Sequence, residues 1–152
     1  MNDTTKDTND HIRKVRDNLF VIRHNLEGRG IAHDLSKLEE PELSIFAEVS
    51  PLLSEVAYGS AEYMERLTRL KPAIDHHYAC NTHHPEHWPN GVNDMSLLDI
   101  IEMLADWKAA GERTKGGNLR TSIEFNIKRF GIGEQLAVIL MNTAKELGWI
   151  DG

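Results

Sequence analysis

His33 and Asp34 stand side by side, and Lys37 follows about one helical turn beyond His33. An imidazole and a carboxylate at consecutive helix positions can both reach one divalent cation, and a nearby lysine can meet a phosphate oxygen as a point charge. His76-His77 and His83-His84-Pro85-Glu86-His87 then fall within twelve positions. Imidazole this dense suits a second metal site or a phosphate-binding group. The plainer alternative is a loop held by imidazole-to-backbone hydrogen bonds, with Trp88 as its apolar anchor. Asp99, Glu102 and Asp106 share a helical face by the i, i+3, i+7 rule. Asp106 sits inside the run Met103-Leu104-Ala105-Asp106-Trp107, and burying an unpaired carboxylate costs on the order of several kcal/mol. It therefore faces solvent, forms a salt bridge or holds a metal.

The elements that must position these groups are helices. Ile12, Val15, Leu19, Ile22 and Leu26 recur at steps of three and four, which predicts an amphipathic helix over residues 10–27, closed by Gly28 and Gly30. Its phase puts His11 at the edge of the apolar stripe, facing inward, and His24 on the opposite face. A short helix over 31–39 carries His33 and Asp34 and ends before Pro41, and Pro41 and Pro51 each suit the first turn of a further short helix. Ser60 caps a longer helix with Tyr63, Met64, Leu67, Leu70 and Ile74 on its apolar stripe, kinked at Pro72. That stripe continues onto His77 rather than His76.

Residues 81–93 hold two prolines, a glycine and three histidines, and read as an ordered loop. Ser96 with Asp99 forms a capping-box start to an apolar helix running to about residue 110. The basic, glycine-containing loop 113–120 offers Arg113, Lys115 and Arg120 to a phosphate group, without the spacing of a P-loop. Thr121 and Glu124 start the next helix, and the last one spans about 134–147 and stops at Gly148. No strand, repeat or linker is legible. The expected fold is all-α, a single helical-bundle domain over residues 1–152 with the first nine as a flexible tail.

A chain of 152 residues can bury a core without a metal or disulfide staple, so a metal would be functional first. The formal charge of -7 argues against non-specific binding to double-stranded nucleic acid. Cys80 is the only cysteine, which rules out an intrachain disulfide. No apolar run approaches a membrane span and the polar start has no signal-peptide core. The expected compartment is the cytoplasm, that of a host cell if the chain is phage-encoded.

The ordered set of His11, then His33-Asp34-Leu35-Ser36-Lys37, then paired histidines, then Leu104-Ala105-Asp106 resembles the HD superfamily of metal-dependent phosphohydrolases. In particular it is similar to a small HD-like family of phages and bacteria with a His-Asp-Leu-Ser-Lys core, a His-His-Pro-Glu segment and an Ala-Asp-Trp helix. The resemblance implies an HD-type bundle in which His11, His33, Asp34 and Asp106 hold the primary metal. It offers His77, His83 and His84, and more weakly His76, for a second ion or for phosphate. Lys37 stands where some HD monophosphatases carry a glutamate, as in the phosphodiesterase-like branches.

The expectation is an enzyme that hydrolyses a phosphate ester or anhydride, most naturally of a nucleotide, through a metal-activated water. Asp34 and Lys37 are its catalytic residues, and Lys37, His76, Arg113, Lys115 and Arg120 contact the substrate. The cofactor is one or two divalent ions per chain, of Mn, Co, Fe, Ni, Zn or Mg. A homo-oligomer is compatible with the family. The competing reading is a non-catalytic helical binding module with a structural metal.

Overall fold

A computed structural model describes residues 4–53, 60–113 and 116–151, without the side chains of Leu53 and Tyr63. Two of the expectations, Tyr63 on its helical stripe and Lys115 in the basic loop, thus lie outside the described residues. The described chain is helical, with six α-helices and three short 3-10 turns, in agreement with an all-α class. It divides into two compact units, one through His33 and one from Asp34 onward.

The first unit is α1, Thr4–Ala32. The helix runs through Gly28 and Gly30 instead of stopping at them, because neither glycine adopts a positive φ and a glycine inside a helix costs only about 1 kcal/mol. It also begins earlier than the sequence suggests, taking in residues 4–9. None of its residues is buried. Within this unit the stripe Ile12, Val15, Leu19 and Ile22 is exposed, and so is His11 beside it.

In the second unit, the expected helix over 31–39 is replaced by a turn at Asp34 and a 3-10 turn over Leu35–Leu38. Pro51 lies inside the second helix, α2, Glu42–Leu53, and does not open a new one. The third, α3, spans Ala61–Cys80 and contains Pro72. These two helices pack together and run antiparallel: Glu42 meets His76 and His77, Glu48 pairs with Arg69, and Arg66 donates to the Leu52 carbonyl. Leu70, Ala73 and His77 are the buried positions of α3, spaced three and four apart. The apolar face of α3 therefore delivers His77 to the interior, as its phase predicted.

The loop after α3 is ordered by 3-10 turns at Pro85–His87 and Gly91–Asp94. Ser96 and Asp99 form the expected capping box of α4, Leu97–Glu112. The next helix, α5, Leu119–Phe130, starts before Thr121 because the Asn118 side chain caps it. Gly131 ends it in the left-handed conformation, at φ 61°, and α6 follows as Glu134–Glu146. Met103, Leu104, Leu119, Ile123, Leu140 and Ala144 form the main core, with Trp88 and Trp107 packed against it.

Candidate metal centre

Asp34 adopts φ 58° and ψ 15°, a left-handed conformation that glycine reaches freely and other residues hold at a cost of roughly 1–2 kcal/mol. Its carboxylate is used on both sides. Oδ2 accepts a 2.6 Å bond from Lys37 Nζ, while the buried Oδ1 faces His77 Nε2 at 3.3 Å and His83 Nε2 at 3.6 Å. His84 completes the group, its Nε2 2.9 Å from that of His77. Asp34, His77, His83 and His84 each turn one ligand atom to a common point, all within 4.8 Å of one another.

Carboxylates behind the rings decide which nitrogens face inward. Glu42, with no exposed surface, spans two histidines: Oε1 is 2.8 Å from His76 Nδ1 and Oε2 is 2.9 Å from His77 Nδ1. Burial alone would raise its pKa, but the hydrogen bonds from His76 and Ser36 and the charge and hydrogen bond of His77 outweigh burial and hold the carboxyl below its ordinary value. An ionised carboxylate only accepts. His77 Nδ1 must therefore carry a proton, which makes Nε2, on the Asp34 side, the nitrogen that can ligate a metal. Glu102 plays the same part for His83, its Oε1 lying 3.2 Å from Nδ1. A carboxylate on the far nitrogen is the usual way a metal-ligating histidine is fixed in tautomer and orientation.

Two further features keep the group in place. Thr82 donates to Asp99 Oδ1 at 2.7 Å and accepts from Trp88 Nε1 through its carbonyl at 2.8 Å, which ties the segment bearing His83 and His84 to α4. Asn81 donates to Ser36 Oγ and to the His77 carbonyl, each at 2.8 Å. His84 is pushed down to about 3, first by burial and then by the neighbouring His83 and His77, against the pull of Asp106 and Asp34. Its ring thus stays neutral and keeps a lone pair near neutral pH.

The separations suit a small divalent ion. Ligand bonds of about 2.0–2.1 Å in a tetrahedron place neighbouring donor atoms roughly 3.3 Å apart, and the contacts here are 2.9, 3.3 and 3.6 Å. Three imidazoles and a carboxylate suit zinc, iron, cobalt, nickel or manganese. Residues 34, 77, 83 and 84 could hold such an ion.

The histidines gathered around Asp34 are those expected for a second ion or for phosphate. Asp106 is half-buried and close enough for its charge to act on His84, though outside the tight group of four. His11 and His33 belong to the first unit, one exposed on α1 and the other half-buried in the turn that follows it. Lys37, expected to meet phosphate, is bound to Asp34, and His76 is bound to Glu42. His87 donates from Nδ1 to the Tyr78 carbonyl at 2.8 Å, a purely structural bond. Arg113 is exposed at the end of α4, and Arg120 donates to the Asp151 carbonyl at 2.6 Å.

Residues 1–146 match a family model described as a family of unknown function, DUF5662. The chain belongs to DUF5662. No curated protein and no solved structure matches it. In this DUF5662 member the four candidate ligands all lie within residues 1–146. Sequence reasoning passed over Glu42 and gave Glu102 no role, although Glu42 carried a legible signal: it begins the series Glu42, Ile45, Phe46, Val49, an acidic residue on an apolar helical face.

Proposed function

We propose that this chain is a metal-dependent phosphohydrolase of the HD type that cleaves a phosphate ester or anhydride bond, with a nucleotide as substrate. The observation that supports it is the convergence of Asp34 Oδ1 with the Nε2 atoms of His77 and His83, each ring held from behind by a carboxylate. The chemistry a divalent ion supplies when held there is polarisation of a phosphoryl oxygen and activation of water at neutral pH. Asp34 serves the ion with Oδ1 while Lys37 holds Oδ2, so the lysine fixes the carboxylate rotamer. Lys37 is partly exposed, and its remaining N–H groups offer positive charge to a phosphate oxygen. Asp106 adds a carboxylate at the edge of the group.

The experiment compares the wild-type chain with Asp34→Ala, His83→Ala and His33→Ala. Bound metal is measured by elemental analysis, and phosphate release from nucleoside mono-, tri- and cyclic phosphates is measured with added Mn, Co, Zn or Mg. Wild type should hold metal and release phosphate or pyrophosphate, and folded Asp34→Ala and His83→Ala should do neither. Loss of metal in His33→Ala as well supports the HD ligand set, whereas retention limits the site to the four residues. Chelation should abolish turnover and leave the helical signal, because the α4–α6 core contains none of the four donors. A wild-type protein that is folded, metal-free and inert across the panel sinks the proposal, and unfolding on chelation identifies a structural metal instead.

A further inference from the structure

Ser122, Phe125, Asn126 and Arg129 follow one another at i, i+3, i+4 and i+7 along α5, so they form one stripe. With Gly111 and Gly117 they line an open groove of about 510 Å³, within the size range of small-molecule sites. Its floor depends on glycine: a Cβ on Gly117 would lie 2.0 Å from the Gly111 carbonyl oxygen.

The two middle residues of the stripe are placed unusually for their types. Phe125 is 64 % exposed, whereas Asn126 is only 8 % exposed, the reverse of what their polarities favour. Asn126 lines the groove, so its amide is placed to hydrogen-bond a group bound there. The groove thus combines an aromatic face with an amide that presents a donor and an acceptor side by side.

One side of the groove leads toward the histidine group. Arg129 pairs with Glu86 at 2.7 Å, and both lie close enough to act on the Tyr78 hydroxyl. The Tyr78 ring lies 5.0 Å from that of His84, centroid to centroid. Tyr78 thus neighbours both the Arg129–Glu86 pair and a proposed metal ligand, His84. Arg129 has five N–H donors in a fixed fork, and its pair with Glu86 uses one of its terminal nitrogens.

We infer that this groove is the subsite for the planar base of a nucleotide substrate, with Phe125 stacking on the ring, Asn126 bonding its polar edge and Arg129 facing the sugar–phosphate side. The inference rests on the phosphohydrolase reading for the cleavage step but not for the binding itself. Free nucleosides have no phosphate to cleave, so they probe the groove separately from metal chemistry.

The test titrates the full chain with adenosine, guanosine, cytidine and uridine, with ribose as the ring-free control, and follows binding by NMR chemical-shift changes. At least one nucleoside should bind with shifts centred on α5, while ribose should not. Phe125→Ala should weaken that binding roughly ten-fold or more, the usual loss when an aromatic stacking partner is removed. Asn126→Ala should weaken it and alter the preference among bases. Because Phe125 is mostly exposed, its variant leaves the core intact, and a thermal melt checks the fold of both. Absence of nucleoside binding, or equal binding by wild type and folded Phe125→Ala, overturns the inference even if metal-dependent hydrolysis is found. Nucleoside binding at α5 in a chain that never hydrolyses a phosphate upholds the groove and refutes the phosphohydrolase reading.

Discussion

Replacing Glu42 with glutamine changes almost no volume and removes one negative charge from beneath the proposed centre. In the native chain both oxygens accept, from His76 Nδ1 at 2.8 Å and His77 Nδ1 at 2.9 Å. An amide has one accepting oxygen and one donating nitrogen, so the Glu42→Gln side chain can satisfy only one ring in its present tautomer. If the amide nitrogen faces His77, that ring must move its proton to Nε2 and ceases to be a ligand. If it faces His76, His77 keeps its tautomer but loses the full charge that made Nε2 a strong donor.

Both orientations weaken metal binding, the first more than the second. Loss of such an orienting partner typically costs about 10–100-fold in metal affinity, or roughly 1.4–2.7 kcal/mol. Glu102→Gln acts on His83 in the same way, but from a longer contact of 3.2 Å, and should give a smaller loss. The assay is competition against a chromophoric chelator with zinc or cobalt, alongside the visible spectrum of the cobalt form, which reports ligand number and geometry. A purely structural role for Glu42 would lower the melting temperature and leave the affinity and spectrum of the folded protein unchanged. Wild-type affinity in a folded Glu42→Gln protein refutes the argument that the buried carboxylate sets the donor state of His77.

Three other perturbations test the supporting structure. Asp99→Ala removes the carboxylate half of the capping box, to which the Ser96 backbone N–H and hydroxyl donate, and the acceptor of Thr82; it should cost roughly 2–4 kcal/mol in a denaturant titration, the sum of a weakened cap and a stranded polar group, and also weaken metal binding by loosening the segment that carries His83 and His84. Gly117→Ala forces a methyl against the Gly111 carbonyl, so it should destabilise by roughly 1–3 kcal/mol and distort nucleoside binding while metal content persists. Tyr78 has a raised pKa, through burial first and then the charge of Glu86, partly offset by Arg129. Between its unfolded value of about 10 and its higher folded value, the native state holds more protons than the unfolded one, so stability falls as pH rises through that window. Tyr78→Phe should flatten this part of a pH series of urea midpoints, and an unchanged slope would count against the placement of Tyr78.

Periodicity carried most of the fold because the helices of the second unit bury the faces their sequences mark. Leu70, Ala73 and His77 on α3, and Ile100, Met103 and Leu104 on α4, are buried as three-and-four spacing requires. Helix ends were legible where a side chain makes the cap, as at Ser96 and Asp99, and obscure where they depend on backbone conformation. Gly28 and Gly30 look like stops yet lie inside α1 without a positive φ, while the left-handed turn falls at Asp34, a residue type that tolerates this conformation but is not singled out by the helical pattern. On α1 the spacing of Ile12, Val15, Leu19 and Ile22 predicts the helix that forms.

The site divides along the same line. Asp34, His77, His83 and His84 were legible as candidates because imidazole and carboxylate are the chemistry of metal ligation. Their grouping was not, since it depends on a turn, the end of α3 and a loop meeting around one point. The orienting residues were harder still. Glu42 lies 34 positions from His76 and 35 from His77, so only the antiparallel packing of α2 on α3 reveals what it holds. Yet a carboxylate on an apolar helical face needs a partner; that holds for Glu42 as for Asp106, and the partners of Glu42 are the histidines at the proposed centre. A buried acidic residue in the first turn of α2 is costly for a fold that merely needs to pack. Its presence here is explained if the ring behind which it sits must present a lone pair, and the Glu42→Gln experiment measures that requirement.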